Sequence, residues 1–151
     1  MIIPEELKDS LALQLLMTYK ALRRKSGKEL KKIGLCLGQD IILFHLSGQP
    51  DISQAQLARA LGVEEATISI ILQRMTKSGL IKRTADQKDA RMMRVSLTVK
   101  GLELRKKALR IWQKQESQVF SRLTEGQRQE LLQSLLEIQS YIESKKGKKE
   151  S

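Results

Sequence analysis

The sequence of 151 residues has few of the residues that build disulfide, metal or cofactor sites. Cys36 is its one cysteine, so no disulfide can form within the chain, and with His45 as its one histidine no Cys/His zinc site can be assembled. The glycine-rich phosphate loop, the dinucleotide-binding fingerprint and the Gly-x-Ser-x-Gly motif of hydrolases are missing as well. We therefore expect no metal, no cofactor and no enzymatic activity.

Long apolar runs are also missing from the sequence. No stretch approaches the roughly 20 apolar residues that a membrane-spanning helix needs. The opening segment Met1–Glu6 has no basic region followed by a long apolar one, as a secretory signal would. With cysteine so scarce, these features predict a cytoplasmic protein.

Positive charge is in excess, with 28 Lys and Arg against 17 Asp and Glu, a net charge of +11 and a pI near 10. Such a balance is typical of proteins that bind polyanions. The excess is spread along the whole chain, so charge alone does not separate a nucleic-acid-binding protein from an ordinary basic protein. The motifs must decide between these two interpretations.

Two helices joined by a short glycine turn are predicted in the middle of the chain. Ser53 and Gln56 can form a capping box at the start of the first helix, which ends at Gly62, a residue that tolerates a left-handed turn. The second helix covers about 64–78, where apolar residues recur at i, i+3, i+4 and i+7, and Gly79 ends it. This arrangement predicts a helix-turn-helix.

A β-hairpin is predicted directly after this pair. Met93, Val95 and Leu97 alternate with Met92, Arg94 and Ser96, a period of two that indicates a strand with one apolar row. Residues 80–83 can form its partner strand, and the polar segment 84–90 is too long for a tight two-residue turn. A projecting hairpin that follows a helix-turn-helix is interpreted as the wing of a DNA-binding domain.

Helical periodicity also predicts outer helices at about 5–25, 99–121 and 125–145, besides a buried helix at 38–46. The outer helices carry more apolar residues than a compact lobe can cover, which favours dimerisation; an intrachain three-helix bundle is the alternative. The predicted fold class is mainly α with a small β-hairpin, in one domain, 1–151. Its parts are a winged helix-turn-helix lobe at 38–98, dimerisation helices from both termini at 1–34 and 99–146, and a flexible basic tail at 147–151.

The outer face of the helix at 64–78 is the candidate recognition surface. Its short side chains can approach base edges, where Gln73 can pair with adenine and Ile70 can meet a thymine methyl group. A solvated helix face is the alternative. The residues assigned to this surface are Ala66, Thr67, Ser69, Ile70, Gln73, Arg74 and Lys77.

The wing supplies a second set of candidate contacts. Asp89 and Arg91 flank Ala90, so their side chains can pair and hold the arginine ready to enter a narrow minor groove. An ordinary surface ion pair is the alternative. The wing set is Lys88, Asp89, Arg91 and Arg94, with Lys88 and Arg94 directed at phosphates. Phosphate contacts that position the protein are also assigned to Ser53, Gln54, Gln56, Lys82 and Arg83.

The order of these motifs resembles the MarR family of bacterial transcriptional regulators over nearly the whole chain. The resemblance implies a homodimer that binds a palindromic operator on double-stranded DNA, with the terminal helices at the interface. Glu64, Glu65 and Ile70 differ from the small polar residues and the arginine common there. The matching motifs are Ser53–Val63, Thr67-Ile-Ser69, Gly79–Arg83, Asp89-Ala-Arg91, Leu97-Thr98 and Gly101.

The resemblance further implies a sequence-specific regulator, usually a repressor, that a small aromatic ligand releases from DNA. Tyr19, His45 and Trp112 are candidate pocket residues, with core packing as the alternative. Cys36 is a candidate oxidant sensor because some relatives sense peroxides through a thiol; a buried, inert thiol is the alternative. Two other functions stay open, a constitutive DNA binder or counter-silencer without effector, and a winged-helix module for protein contact.

Overall fold

The computed structural model describes residues 4–146 and confirms the mainly α fold class. The predicted flexible tail, 147–151, lies outside these residues. Short 3-10 turns at Glu5–Leu7 and Phe120–Arg122 precede the first and last helices. In chain order the elements are α1 (Leu11–Lys32), α2 (Gln39–Gly48), β1 (Ile52–Ser53), α3 (Gln54–Leu61), α4 (Glu65–Lys77), β2 (Ile81–Ala85), β3 (Met93–Leu97), α5 (Val99–Val119) and α6 (Glu125–Lys146).

The first helix differs most from its predicted bounds. Helix α1 begins after Ser10, whose hydroxyl caps it, and continues past Gly27 to Lys32. Gly27 lies inside the helix, where the absence of a side chain lets Leu37 approach closely: a Cβ at this position would lie 3.2 Å from the side chain of Leu37. The chain turns instead at Gly34, where φ is +80°.

The sheet has three antiparallel strands in the order β1-β3-β2. The predicted hairpin is confirmed, with β2 extended to Ala85 and its pairing fixed by Ile81 opposite Leu97. The sequence did not predict β1, because two residues are too few to show an alternating pattern. Its Ile52 pairs with Val95 and so attaches the start of α3 to the hairpin.

The hydrophobic core joins α2, α3, α4 and the sheet. Leu43, Leu57, Leu72 and Val95, one from each of these elements, have no solvent-exposed surface, and Ala108 of α5 is equally buried. Burial of one such large aliphatic side chain stabilises a fold by about 1.5–3 kcal/mol. The prediction that α2 is a buried helix is confirmed.

The junction between β3 and α5 depends on two residues. The Thr98 hydroxyl donates to the carbonyl of Gly79 at 2.6 Å and accepts from the amide of Gly101 at 3.0 Å. Gly101 permits this contact, because a Cβ at that position would lie 2.0 Å from the carbonyl oxygen of Leu80. The spacing of threonine and glycine thus fixes the exit of the hairpin against the end of α4.

The boundary between two compact units falls between Trp112 and Gln113, inside α5. In the second unit, Thr124 caps α6, with its hydroxyl accepting from the amide of Gln127 at 3.2 Å. Within the range 4–146, no helix is long and apolar enough to cross a membrane. Helix α6 exposes six large apolar side chains, those of Leu131, Leu132, Leu136, Ile138, Tyr141 and Ile142.

Candidate nucleic-acid interface

The helix-turn-helix is built as its sequence predicts. The Ser53 hydroxyl accepts from the amide of Gln56, and the Gln56 side chain accepts from the amide of Ser53, each at 3.1 Å. Helix α3 ends at Gly62, whose φ of +64° and ψ of +32° place it in the left-handed region. Glu64 then precedes α4, and Gly79, with φ of +72°, follows it.

Helix α4 buries one face and exposes the other. Ile68, Leu72 and Met75 are buried in the core, whereas Ile70 on the opposite side is 53% exposed. The predicted recognition surface is therefore accessible, although its contacts with DNA stay a prediction. Of its residues, Ser69 is half-buried and the exposed ones are Ala66, Thr67, Ile70, Gln73, Arg74 and Lys77.

The predicted phosphate contacts divide into exposed and engaged residues. Gln56 and Lys82 are exposed, although the Gln56 side-chain oxygen already accepts from the Ser53 amide. Ser53, in contrast, is only 4% exposed and its hydroxyl accepts from the Gln56 amide in the capping box, while its predicted phosphate contact stays a prediction. The Arg83 guanidinium donates to the side chain of Gln54 at 2.7 Å, which ties β2 to the first turn of α3.

The wing loop between β2 and β3 is organised by two carboxylates. Asp86 accepts from the amides of Lys88 and Asp89 at 2.7 and 3.1 Å, and Asp89 accepts from the amide of Arg91 at 3.0 Å. The predicted side-chain pair of Asp89 and Arg91 is therefore wrong, since Asp89 holds the backbone of Arg91. The side chains of Lys88 and Arg91 are exposed at the tip.

Arg94 also differs from its predicted role as a phosphate contact. Its Nε donates to Asp86 at 2.5 Å, and a second guanidinium nitrogen donates to the carbonyl of Asp51 at 2.8 Å. The hydrogen bond from Arg94, followed by those from the two loop amides, lowers the pKa of Asp86 below its ordinary value. The carboxylate is thus ionised at neutral pH, and two guanidinium nitrogens of Arg94 are occupied by contacts within the chain.

A buried charge cluster connects the first, second and fifth helices. Asp40 has a fully buried side chain and accepts from both terminal nitrogens of Arg23, at 2.9 and 3.2 Å. The indole nitrogen of Trp112 donates to the same carboxylate at 2.9 Å, and its ring meets that of Phe44 edge-to-face at 5.8 Å. Sequence reasoning missed Asp40 and Arg23. An acid directly before the apolar run of α2 was the available signal, because a buried charge requires a partner.

Hydrogen bonds decide the charge state of this cluster. Burial raises the pKa of Asp40, but the hydrogen bonds from Arg23 and Trp112 and the charge of Arg23 outweigh it, so the net direction is down. The hydrogen bond to Asp40 in turn raises the pKa of Arg23. Both groups are therefore charged at neutral pH.

A cleft of about 980 Å³ lies between α1 and the segment before α2. Tyr19 and Cys36 belong to its lining, whereas the described lining includes neither His45 nor Trp112. The indole N–H of Trp112 instead donates to Asp40. Cys36 is exposed, which contradicts the alternative of a buried thiol. Five cationic residues line the cleft, namely Lys20, Arg23, Arg24, Lys28 and Lys31.

A helix-turn-helix followed by a hairpin that pairs with a short third strand defines a winged helix-turn-helix protein. Residues 39–92 match the model of the MarR family. The HTH-type transcriptional repressor Rv2887 of Mycobacterium tuberculosis is 29% identical over 119 residues, which cover 79% of this chain and 86% of the repressor. The matched model and this relative both identify the MarR family as the one that the chain resembles.

Solved structures agree with the fold. A crystal structure of MarR superposes with a TM-score of 0.86 at 24% identity and covers 98% of this chain and 99% of its own. The MepR–DNA complex of S. aureus superposes with a TM-score of 0.81 at 23% identity, and the match covers 89% of this chain and 99% of the MepR chain. The relative Rv2887 is thus named as a repressor, and one of these two structures was solved on DNA.

Proposed function

We propose that this chain is a sequence-specific double-stranded DNA-binding regulator, with repression as its principal mode of action in the cytoplasm. The observation that carries this proposal is the accessible outer face of α4 beside a wing whose tip presents Arg91. The match to the model of a family of regulators supports it, as does the similarity of the fold to MepR in its complex with DNA. The role is one of binding rather than catalysis.

The two elements would read different grooves. The outer face of α4 would enter the major groove, where the Gln73 amide can bond both polar atoms of an adenine edge and Ile70 can contact a thymine methyl group. Arg91 would enter the minor groove, where A·T tracts concentrate negative potential. Lys82, which is exposed on β2, would contact phosphates and add affinity without sequence preference.

Gln73→Ala is expected to reduce the preference of the protein for one base pair of its binding site. An exposed glutamine that bonds an adenine edge contributes about 1–3 kcal/mol of discrimination at that position. The measurement is fluorescence anisotropy on duplexes that carry each base pair in turn, at a fixed salt concentration. Gln118→Ala, which removes an exposed glutamine from α5, is the matched control and should leave the profile unchanged.

An equal loss of affinity on every duplex would instead assign Gln73 to the phosphate contacts. The second candidate function, a winged-helix module for protein contact, makes a different prediction for the same face. Under it, the combined replacement of Thr67, Ser69 and Gln73 by alanine leaves DNA binding unchanged. That result would contradict the proposed function.

A homodimer is the proposed assembly. Helix α6 exposes large apolar side chains that a partner copy would cover, with Leu132 58% and Ile142 55% exposed. A two-fold symmetric dimer would place two copies of α4 in successive major grooves, about 34–36 Å apart along the DNA. The symmetry of the bound DNA sites is therefore the observable that reports on the dimer.

We further propose that a small aromatic anion occupies the cleft beside α1 and weakens DNA binding. Tyr19 and Leu35 would contact its ring, and the five cationic residues of the lining would attract its charge. Arg23 belongs both to this lining and to the buried cluster with Asp40, so the ligand would act where α1 is fixed to α2. Through the contact of Arg23 with Asp40, a ligand in the cleft would change the position of α2, which belongs to the DNA-binding lobe.

Benzoate, used as the probe, is expected to dissociate the protein–DNA complex at millimolar concentration. Tyr19→Ala should reduce this sensitivity, because it removes an aromatic wall of the cleft, while DNA affinity without benzoate stays unchanged. If benzoate has no effect on the complex, and none on the thermal midpoint of the free protein, the constitutive binder without effector is favoured.

A further inference from the structure

We infer that Asp86 is a positioning residue of the wing, an acidic side chain that strengthens DNA binding because it fixes where Arg91 lies. This inference rests on the proposed function. The Asp86 side chain is 7% exposed, so little of its charge faces solvent. One carboxylate oxygen accepts from two amides of the loop, those of Lys88 and Asp89, and the other accepts from Arg94. A single side chain thus holds both the loop and β3.

The arginine on the other side of this ion pair attaches the wing to the lobe. Arg94 donates to the carbonyl of Asp51 at 2.8 Å, and its backbone pairs with Ser53 of β1. Asp51 has a positive φ of 62°, which is uncommon for a residue with a side chain, so the turn there is tightly specified. Through Arg94, the Asp86 carboxylate is therefore connected to the turn that precedes α3.

A short series of hydrogen bonds leads from Asp86 to Arg91. Asp86 accepts from the amide of Asp89, and the Asp89 carboxylate accepts from the amide of Arg91. Within residues 4–146, no ion pair holds the Arg91 side chain itself. The position of the Arg91 side chain is therefore determined mainly by the position of its backbone, and that backbone is held through Asp86.

Simple charge counting predicts the opposite effect for this residue. Loss of an acid from a surface that faces phosphates should strengthen DNA binding, and it would also release Arg94 for a phosphate contact. The positioning role predicts weaker binding, because the loop loses its anchor and Arg91 must be ordered on DNA at an entropic cost. The two accounts differ in sign, so one substitution distinguishes them.

Asp86→Asn is the decisive variant. The uncharged amide oxygen is a weaker acceptor for the loop amides than a carboxylate, and the amide nitrogen presents a donor to Arg94. Both the loop anchor and the ion pair are therefore weakened with little change in volume. We expect DNA affinity to fall about three- to tenfold at constant salt, which is about 0.7–1.4 kcal/mol. Glu65→Gln, which removes an exposed acid from the first turn of α4, is the matched control, and its affinity should be equal or tighter.

A double-mutant cycle separates positioning from a general loss of stability. Arg91→Ala should cost a smaller factor in the Asp86→Asn protein than in the wild type, because Arg91 is already misplaced there. Arg94→Lys keeps the charge but changes the geometry of the pair; it should reproduce the loss and serves as the second variant if Asp86→Asn does not fold. Equal or tighter binding by folded Asp86→Asn, or the same cost of Arg91→Ala in both proteins, would overturn the inference.

A readout without DNA keeps this inference separate from the proposed function. Amide hydrogen exchange at Lys88, Asp89 and Arg91 should be faster in Asp86→Asn than in the wild type, with the core amides of α4 unchanged. If the wild-type protein shows no preference among DNA sequences but the exchange difference is observed, the proposed function is refuted and the positioning role of Asp86 stands. Unchanged exchange would refute the positioning role even if DNA binding were established.

Discussion

Replacement of Arg91 by alanine is expected to weaken DNA binding at least tenfold, or about 1.4 kcal/mol, without loss of folding. Arg91 is exposed at the wing tip, and its backbone is held by the Asp89 carboxylate at 3.0 Å. A guanidinium on an ordered loop is preorganised for the narrow minor groove, so less entropy is lost when it binds. Because its side chain supports no core contact, the fold does not depend on it.

The matched control for Arg91 is Arg110→Ala, which removes the same charge from an exposed position on α5. Titration of both variants at several salt concentrations separates a general charge effect from a local one. We expect Arg110→Ala to stay within about twofold of the wild type, about 0.4 kcal/mol. Equal affinities of Arg91→Ala and wild type at matched salt would refute the wing assignment.

Replacement of Asp40 by alanine is expected to lower the free energy of unfolding by about 3 kcal/mol. Loss of one member of a buried ion pair leaves the other without compensation, which costs about 3–5 kcal/mol. The lower end applies because the Arg23 side chain is 13% exposed, so water can reach part of it. The indole N–H of Trp112 also loses its acceptor. Urea denaturation followed by circular dichroism measures the change.

An exposed ion pair on α1 provides the comparison for Asp40. Glu29 accepts from Lys32 one helical turn away at 2.7 Å, and such surface pairs are worth at most about 1 kcal/mol. Glu29→Ala should therefore shift the urea midpoint much less than Asp40→Ala. Similar shifts for the two variants would contradict the importance of the buried cluster.

The pH dependence of stability gives the cluster a second signature. The folded pKa of Asp40 is lowered relative to its unfolded value, which is about 3.9. Its contribution is therefore fully present above that unfolded value and is lost as pH falls through the lower, folded value. The difference in stability between wild type and Asp40→Ala should be constant near neutral pH and should decrease only in strong acid. A difference that disappears near pH 6 would contradict this assignment.

Local sequence patterns were sufficient for most of the fold. The capping box at Ser53 and the left-handed turn at Gly62 depend on neighbouring residues alone, and both are confirmed. The predicted end of the first helix near residue 25 was wrong, because α1 continues through Gly27 to Lys32, and the approach of Leu37 to Gly27 from outside the helix leaves no local signal. Strand β1 was missed for the same reason: its two residues are strand only because β3 lies beside them.

The charged side chains of the candidate site were harder to predict than its backbone. A side-chain pair of Asp89 and Arg91 was predicted because their spacing allows it. The ion pair that forms in the wing is that of Asp86 with Arg94, eight residues along the chain. Which arginine pairs with an acid of the loop depends on the hairpin register, because the register places Arg94 opposite Thr84, next to the loop. Asp40 is similar, since its partners Arg23 and Trp112 lie on two other helices.

Selection of bound sites from random double-stranded DNA tests the central claim most directly, because affinity, sequence preference and symmetry are read from one experiment. For the wild-type protein at fixed salt, the account predicts enrichment of a palindromic sequence. Its half-sites should be centred about 34–36 Å apart, or a multiple of that distance. Recovery of DNA without sequence preference, or of a single unpaired half-site, would contradict the account of a dimeric sequence-specific regulator.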